Sequence, residues 1–201
     1  MGAWRQEQGR DRFFRKAHEE GYRARSAYKL IEIDQRFRLI RRGGAVLDLG
    51  AAPGSWSQVA VKLAGPGARI VAVDLTPISP IVGVTTIQGD ITDPACVERM
   101  RVALCGAADA VLCDAAPSTS GVALVDHAQS LELSRAALAI ARQTLRPGGG
   151  FVVKVFRGSD FDDFVSEVRA VFGQAKIVVP EAVRKESKEG YVVGLGRAPQ
   201  L

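Results

Sequence analysis

A lysine and an aspartate occupy positions in this sequence where a charged side chain needs an explanation. Lys154 lies inside the apolar run "FVVKVF", and lysines are almost never buried without a partner. Asp114 ends another apolar run, "DAVLCD". If the strands that carry them are neighbours in a sheet, the two side chains can approach each other. A lysine held beside an acid is a candidate acid/base residue, and a purely structural ion pair is the alternative.

A turn rich in small residues follows the first apolar run, in "AVLDLGAAPGSWSQVA". Such turns let a ligand approach the backbone closely. A dinucleotide fingerprint is GxGxxG, in which backbone N–H groups face a pyrophosphate. Here the glycines are Gly50 and Gly54, and Pro53 contributes no N–H. The turn therefore favours S-adenosylmethionine over a nicotinamide dinucleotide, with an oxidoreductase or a turn that binds nothing as alternatives.

Acids at two further strand ends favour the same ligand. Asp74 closes the second apolar run, where a carboxylate can accept hydrogen bonds from both ribose hydroxyls. Asp90 follows the third run and can accept from the exocyclic amine of adenine. Either acid can instead cap a helix. Trp56, just inside the first helix after the turn, is predicted to pack near the methionine end of the cofactor or else to belong to the core.

These residues need a sheet whose strands end at a common edge. The alternation of apolar runs and helical patterns predicts a mostly parallel sheet with helices on both faces. Only a short polar segment separates the last two strands, which predicts an antiparallel pair. The strands are predicted at 45–49, 69–74, 84–88, 109–114, 150–156, 176–179 and 191–196, and the helices near 55–64, 93–104, 124–145 and 161–172.

The positive charge is concentrated at the start of the chain. The 201 residues carry a net charge of +5. Residues 1–42 hold 12 Lys and Arg against 6 Asp and Glu, whereas residues 43–201 hold 15 against 16. We predict a basic, helical N-terminal arm over 1–42, part of the same domain as a catalytic region over 43–201. Such an arm attracts a polyanion, and a solvated basic surface without a partner is the alternative.

Several longer motifs occur in a characteristic order: "DLGAAPGSWSQ", "PIVGV", "QGDI", "CDAAP", "GGGFVVKVF" and "SKEGYVV". With them the chain resembles the FtsJ/RrmJ-type RNA 2′-O-ribose methyltransferases over nearly its whole length. The resemblance implies an α/β, Rossmann-like class I S-adenosylmethionine-dependent methyltransferase fold, with a seven-stranded, mostly parallel sheet whose last strand is antiparallel. Two positions depart from the family pattern. Ser55 replaces a common glycine, and Gly190 replaces a usual aliphatic residue.

The resemblance also implies the residues of the site. A Lys-Asp-Lys-Glu tetrad falls on Lys29, Asp114, Lys154 and Glu189. Lys154 would accept the proton of the 2′-hydroxyl or orient its oxygen, and Asp114 would position Lys154. Lys29 and Glu189 would steer the hydroxyl and balance charge. The sulfonium is an activated donor, so no metal is expected. With Gly50 of the turn, the predicted cofactor residues are Gly50, Gly54, Trp56, Asp74, Asp90 and Asp114.

The resemblance to compact members of the family implies a uridine of large-subunit (23S-type) rRNA as the target, and the short chain favours the rRNA branch. Other members of the family act on tRNA or mRNA caps, and a catalytically inactive RNA-binding relative is an alternative of another class. Arg23 and Arg25 are predicted phosphate contacts because they precede the helix that bears Lys29. His18 and His127 have no metal-ligand spacing with the cysteines.

We also expect a cytoplasmic monomer. The sequence has no apolar run of membrane-spanning length, and its charged N-terminus lacks the apolar core of a signal peptide. The three cysteines contain no CxxC pair, which is typical of reduced thiols.

Overall fold

The computed structural model describes residues 11–117, 121–184 and 186–199, apart from the side chain of Ala123. Two helices come first, α1 (Arg12–Glu19) and α2 (Ala27–Phe37). The elements that follow are β1 (Ala45–Leu49), α3 (Ser55–Ala64), β2 (Arg69–Asp74), β3 (Val84–Gln88), α4 (Pro94–Leu104), β4 (Ala108–Cys113), α5 (Ala123–Thr144), β5 (Leu145–Phe156), α6 (Phe161–Val171), β6 (Phe172–Val178) and β7 (Glu189–Arg197). Across this part of the chain, none of the helices combines the length and apolar character that crossing a bilayer requires.

The strands form one seven-stranded sheet in the order β3-β2-β1-β4-β5-β7-β6. The pairs from β3 to β5 are parallel. β7 lies between β5 and β6 and runs antiparallel to both, which confirms the predicted fold and the predicted antiparallel pair. From β1 the sheet extends to β2 and β3 on one side and to β4 and β5 on the other. The carboxyl ends of β1 and β4 therefore border the crevice where ligands bind in such sheets.

β5 begins earlier than the sequence predicts. The strand was predicted at 150–156, but residues 145–149 also belong to β5, with a register shift opposite β4. Arg146 explains this extension, because its Nε donates to Asp109 Oδ1 at 2.6 Å and ties the start of β5 to β4. Gly149 allows the close approach, since a Cβ there would lie 3.1 Å from the Asp109 carbonyl oxygen.

The sheet separates two apolar layers. Alternate residues of β1 point to opposite faces: Leu47 joins the layer of α4, α5 and α6, and Val46 joins the layer of α2 and α3. Leu30 and Ile33 of α2 are fully buried in the second layer. The helix that carries Lys29 is therefore fixed directly to the sheet, which sets the position of this lysine relative to the strand ends.

Candidate active site

A cavity of about 340 Å³ lies beyond the carboxyl ends of the central strands. This volume falls in the range of about 300–1,000 Å³ that is usual for small-molecule sites. The cavity is lined by four of the residues predicted to bind the cofactor, namely Gly50, Asp74, Asp90 and Asp114. The topology thus brings together acids from three strand ends around one glycine turn.

Gly50 is required by the shape of this cavity. Its φ of 66° lies in the left-handed region, where a side chain is strained. A Cβ at this position would lie 2.5 Å from the Cα of Ala115, which is backbone that follows β4. The glycine therefore lets the ends of β1 and β4 approach each other at the base of the cavity.

Two carboxylates of the cavity are held by local hydrogen bonds. Asp74 accepts from the backbone N–H of Ala52 at 2.9 Å and of Thr76 at 2.7 Å. Asp90 accepts from the backbone N–H and the hydroxyl of Thr92, both at 2.8 Å, and these bonds hold the pKa of Asp90 below its usual range. A carboxylate oxygen has two lone pairs, so both side chains retain acceptors for a ligand. Their fixed orientation suits them to bind hydroxyl or amino donors.

The other two predicted cofactor residues, Gly54 and Trp56, do not line this cavity. Trp56 is 2% exposed, its Nε1 donates to the carbonyl of Ser26 at 2.8 Å, and its ring centroid lies 5.9 Å from that of Tyr191. The alternative interpretation of Trp56, as a core residue, is the one that this geometry favours. Gly54 precedes α3 with a φ of 106°. Trp56 thus connects the helix that follows the turn to the arm.

The structure brings the four predicted catalytic residues into one network. Lys154 Nζ lies 3.3 Å from Asp114 Oδ1 and donates to the backbone oxygen of Asp114 at 2.6 Å. Lys29 Nζ donates to Glu189 Oε1. The side chains of the two ion pairs are only 8–14% exposed. Burial of this kind makes each charge depend on its partner.

Tyr191 joins the two ion pairs, and the sequence analysis did not identify it. Its hydroxyl lies 2.7 Å from Asp114 Oδ1 and also contacts Glu189 Oε1. Because a phenol has a single hydrogen, it donates to one carboxylate at a time. Burial, followed by the charges of Asp114 and Glu189, raises the pKa of Tyr191 well above its usual value. Its signal in the sequence is its position two residues after Glu189, on the same face of β7.

A second cavity, of about 600 Å³, borders the other end of this network. Lys29 and Glu189 line it together with the cations Arg25 and Arg184. Asp114, by contrast, lines the first cavity. The buried network therefore runs from a cavity with acids suited to a nucleoside to a cavity lined by both cations and the acids Glu186 and Glu189.

The structure gives Arg23 and Arg25 other partners than the predicted phosphates. The guanidinium of Arg23 donates to the backbone carbonyls of Pro53, Ser79 and Pro80 at 2.8–2.9 Å. Arg25 pairs with Asp11 and donates to the carbonyl of Ala182. Both side chains therefore fasten the arm to neighbouring loops, and their contact with phosphate stays a prediction. Such backbone acceptors leave no signal in a sequence.

Asp48 is a fully buried acid in β1, outside the lining of both cavities. Its Oδ2 accepts from the hydroxyl of Ser57 at 2.6 Å, whereas its Oδ1 has no hydrogen-bond partner among the described residues. Burial is the main reason that its pKa rises to about 7. The folded protein thus holds a proton on Asp48 at pH values where the unfolded chain has released it.

This proton makes stability depend on pH in a direction that can be tested. Because the pKa is raised on folding, Asp48 lowers the free energy of unfolding as pH rises from about 4 to about 7. We expect wild type to lose roughly 3–4 kcal/mol more than Asp48→Asn across this window, with no further difference above it. Urea denaturation of both proteins at several pH values measures the difference. Parallel curves would contradict the buried, protonated carboxyl.

Within residues 11–117, 121–184 and 186–199, no group of three or more His, Cys, Asp or Glu side chains is arranged to hold a metal ion.

Comparison with known proteins agrees with this geometry. The model of the FtsJ-like methyltransferase family matches residues 22–197. A protein of Methanothrix thermoacetophila named "Ribosomal RNA large subunit methyltransferase E" is 55% identical over 92% of this chain and 72% of its own length. A protein of the same name from Azoarcus sp. is 48% identical over 96% of this chain and 95% of its own.

A solved structure shows the same fold. The crystal structure of a protein of Plasmodium falciparum, described as a ribosomal RNA methyltransferase, superposes with a TM-score of 0.80 at 27% identity. The match covers 89% of this chain and 100% of the other. From the matched family model, the close relatives and the shared architecture, we conclude that the chain belongs to the FtsJ-like methyltransferase family.

Proposed function

We propose that this methyltransferase transfers a methyl group from S-adenosylmethionine to a ribose 2′-hydroxyl of large-subunit rRNA, at a uridine. The observation that carries the proposal is the buried network from Lys154 to Lys29, which joins the cavity of Asp114 to the cavity of Arg25 and Arg184. Names of the relatives support a large-subunit rRNA substrate.

The first cavity fits S-adenosylmethionine by the chemistry of its lining. Asp74 and Asp90 present oriented acceptors to ribose hydroxyls and to an adenine amine. The tight approach at Gly50 leaves the turn free of a side chain, and Pro53 supplies no N–H for a pyrophosphate. When bound, the cofactor supplies an activated methyl group. The residues of the chain must then present the ribose oxygen in line with that group.

The network supplies the means to position the hydroxyl and take its proton. Two oxygens of Asp114 hold the Nζ of Lys154 in one position relative to the first cavity. Asp114 is fixed in turn by Tyr191. Lys29 and Glu189 form the opposite end of the network and border the second cavity, where the target nucleotide enters. In this scheme Lys154 is the base or the orienting group for the 2′-oxygen.

The arm contributes to RNA binding in this proposal through its other cations. Arg15 on α1 is exposed, and so are Arg41 and Arg42 in the segment between α2 and β1. Phosphate contacts of this kind position RNA without reading its sequence.

We further propose that the enzyme acts as a monomer in the cytoplasm, on large-subunit RNA.

The test is a transfer assay with methyl-labelled S-adenosylmethionine. Purified protein is incubated with unmethylated large ribosomal subunits, with their extracted RNA and with tRNA, and the products are digested to nucleosides. We expect label in 2′-O-methyluridine from the large-subunit RNA and none from tRNA. Label on a base, label in tRNA alone, or binding of NAD in calorimetry as tight as that of S-adenosylmethionine would each refute the proposal.

A further inference from the structure

A third cavity, of about 550 Å³, lies beside the site and has no role in the reaction described above. Glu186 and Ser187 line both this cavity and the cavity of Lys29 and Glu189, so their segment forms the wall between the two. Phe156 lines it from β5, two residues after Lys154. The third cavity therefore begins directly next to the place that the target nucleotide would occupy.

One side of this cavity is apolar and open to solvent. Leu124, in the first turn of α5, is 73% exposed, and Val122 and Val125 beside it are 56% and 42% exposed. Phe156 is half-buried and shares the lining with Leu124. Every nucleobase has an apolar face that stacks on such side chains, whatever its sequence.

Charged side chains of both signs line this cavity. Arg157 and Lys188 are exposed cations in its lining, and the acids Asp126 and Glu186 line it as well. The side chain of Arg157 lies over Gly190, where a Cβ would come within 3.2 Å of the Arg157 Nε. The departure from the family pattern at Gly190 thus has a structural consequence, because the missing side chain makes room for the guanidinium beside β7. A planar guanidinium is well suited to bind phosphate.

His127 forms part of the wall of this cavity. Its Nδ1 lies 2.9 Å from the carbonyl oxygen of Phe156, which only accepts, so Nδ1 carries the hydrogen. Its Nε2 is buried and lies 3.5 Å from Asp160 Oδ2. The ring is 6% exposed and packs against Gly158, where a Cβ would lie 2.6 Å from it. The imidazole therefore fixes the end of β5 that carries Phe156.

We propose that this third cavity binds a nucleotide of the RNA substrate that flanks the target. Its base lies against Phe156 and Leu124, and its phosphate lies at Arg157 and Lys188. The inference rests on the proposed function and extends it, because it gives the enzyme a second contact with the RNA strand outside the tetrad. That contact would hold the target ribose in position for methyl transfer without taking part in proton transfer.

The test separates RNA binding from chemistry. Phe156→Leu, Leu124→Ala and Arg157→Gln are compared with the controls Val102→Ala, which changes an aliphatic side chain that is 69% exposed on α4, and Arg101→Gln on the same helix. We expect the three variants to raise KM for RNA roughly five- to twentyfold, with kcat changed less than about twofold. The controls should match wild type, and the affinity for S-adenosylmethionine should stay constant in all.

A binding measurement without turnover identifies the part of RNA that is recognised. The probes are a fluorescent single-stranded RNA and a base-free ribose-phosphate oligomer of equal length. Wild type should prefer the RNA, and Phe156→Leu and Leu124→Ala should reduce this preference. Unchanged KM values, or an effect of Arg157→Gln alone, would overturn the nucleotide site. If wild type methylates no RNA, the proposed function fails, whereas the preference between the two probes still decides whether the cavity binds a base.

Discussion

Replacing Lys154 with alanine is expected to abolish methyl transfer while the cofactor still binds. Lys154 Nζ contacts both the side chain and the backbone oxygen of Asp114, and Lys154 does not line the cofactor cavity. Loss of a positioned acid/base group typically costs about 10²–10⁴-fold in rate. We therefore expect kcat to fall by about this factor. Calorimetric titration should give an S-adenosylmethionine affinity within about threefold of wild type, because the side-chain contacts of the cavity remain.

A second substitution at Lys154 distinguishes the loss of its charged group from the loss of the fold. Removing one partner of a buried ion pair can destabilise a protein by about 3–5 kcal/mol, so the alanine variant could lose its fold. Lys154→Met retains the apolar stem without the charge, and Lys176→Ala changes an exposed lysine of β6 as a control. Circular dichroism and urea denaturation report on folding. A folded Lys154→Met protein with full activity would show that Lys154 is only a structural partner of Asp114.

Replacing Gly50 with alanine is expected to damage the cofactor cavity itself. The new Cβ would meet the backbone of Ala115 at 2.5 Å, and backbone cannot move aside as a flexible side chain can. Left-handed geometry costs about 1–2 kcal/mol for alanine, and overpacking adds about 1–3 kcal/mol. Because Asp114 directly precedes Ala115, the clash also displaces the link to Lys154. We expect the affinity for S-adenosylmethionine to fall at least about tenfold, which corresponds to ~1.4 kcal/mol.

Gly43 provides a matched control for this substitution. Its φ is 67°, against 66° for Gly50, but a Cβ at Gly43 would meet nothing within 4 Å. Gly43→Ala should therefore show the conformational cost alone, with an unchanged cofactor affinity. Urea denaturation and calorimetry on both variants separate the two effects. Equal losses of stability and equal affinities in the two variants would show that the approach of Ala115 is unimportant.

The mostly parallel sheet and the approach of Lys154 to Asp114 were predictable from the sequence for physical reasons. Alternating apolar strands and helices allow few topologies, and a lysine such as Lys154 within an apolar strand requires a partner at a neighbouring strand end. The family motifs then assigned Lys29 and Glu189 to one site, which hydrophobic periodicity alone could not predict. The structure pairs them across 160 residues of sequence.

Other parts of the site depend on contacts that leave no sequence pattern. A tyrosine in an apolar strand is typical of core, so the position of Tyr191 two residues after Glu189 was not enough to predict that its hydroxyl joins Asp114 to Glu189. The partners of Arg23 are backbone carbonyls, which every residue carries. Trp56 could equally have faced a ligand or the core, and only the packing of α2 on α3 distinguished these.

The position of β7 also separates the parts of the site along the chain. All residues that line the first cavity precede β6, because the lining ends at Leu133. Glu189 and Tyr191 belong to β7, the last strand described, which lies between two strands that precede it. During synthesis the residues of the first cavity therefore leave the ribosome before the two residues that connect Asp114 to Lys29.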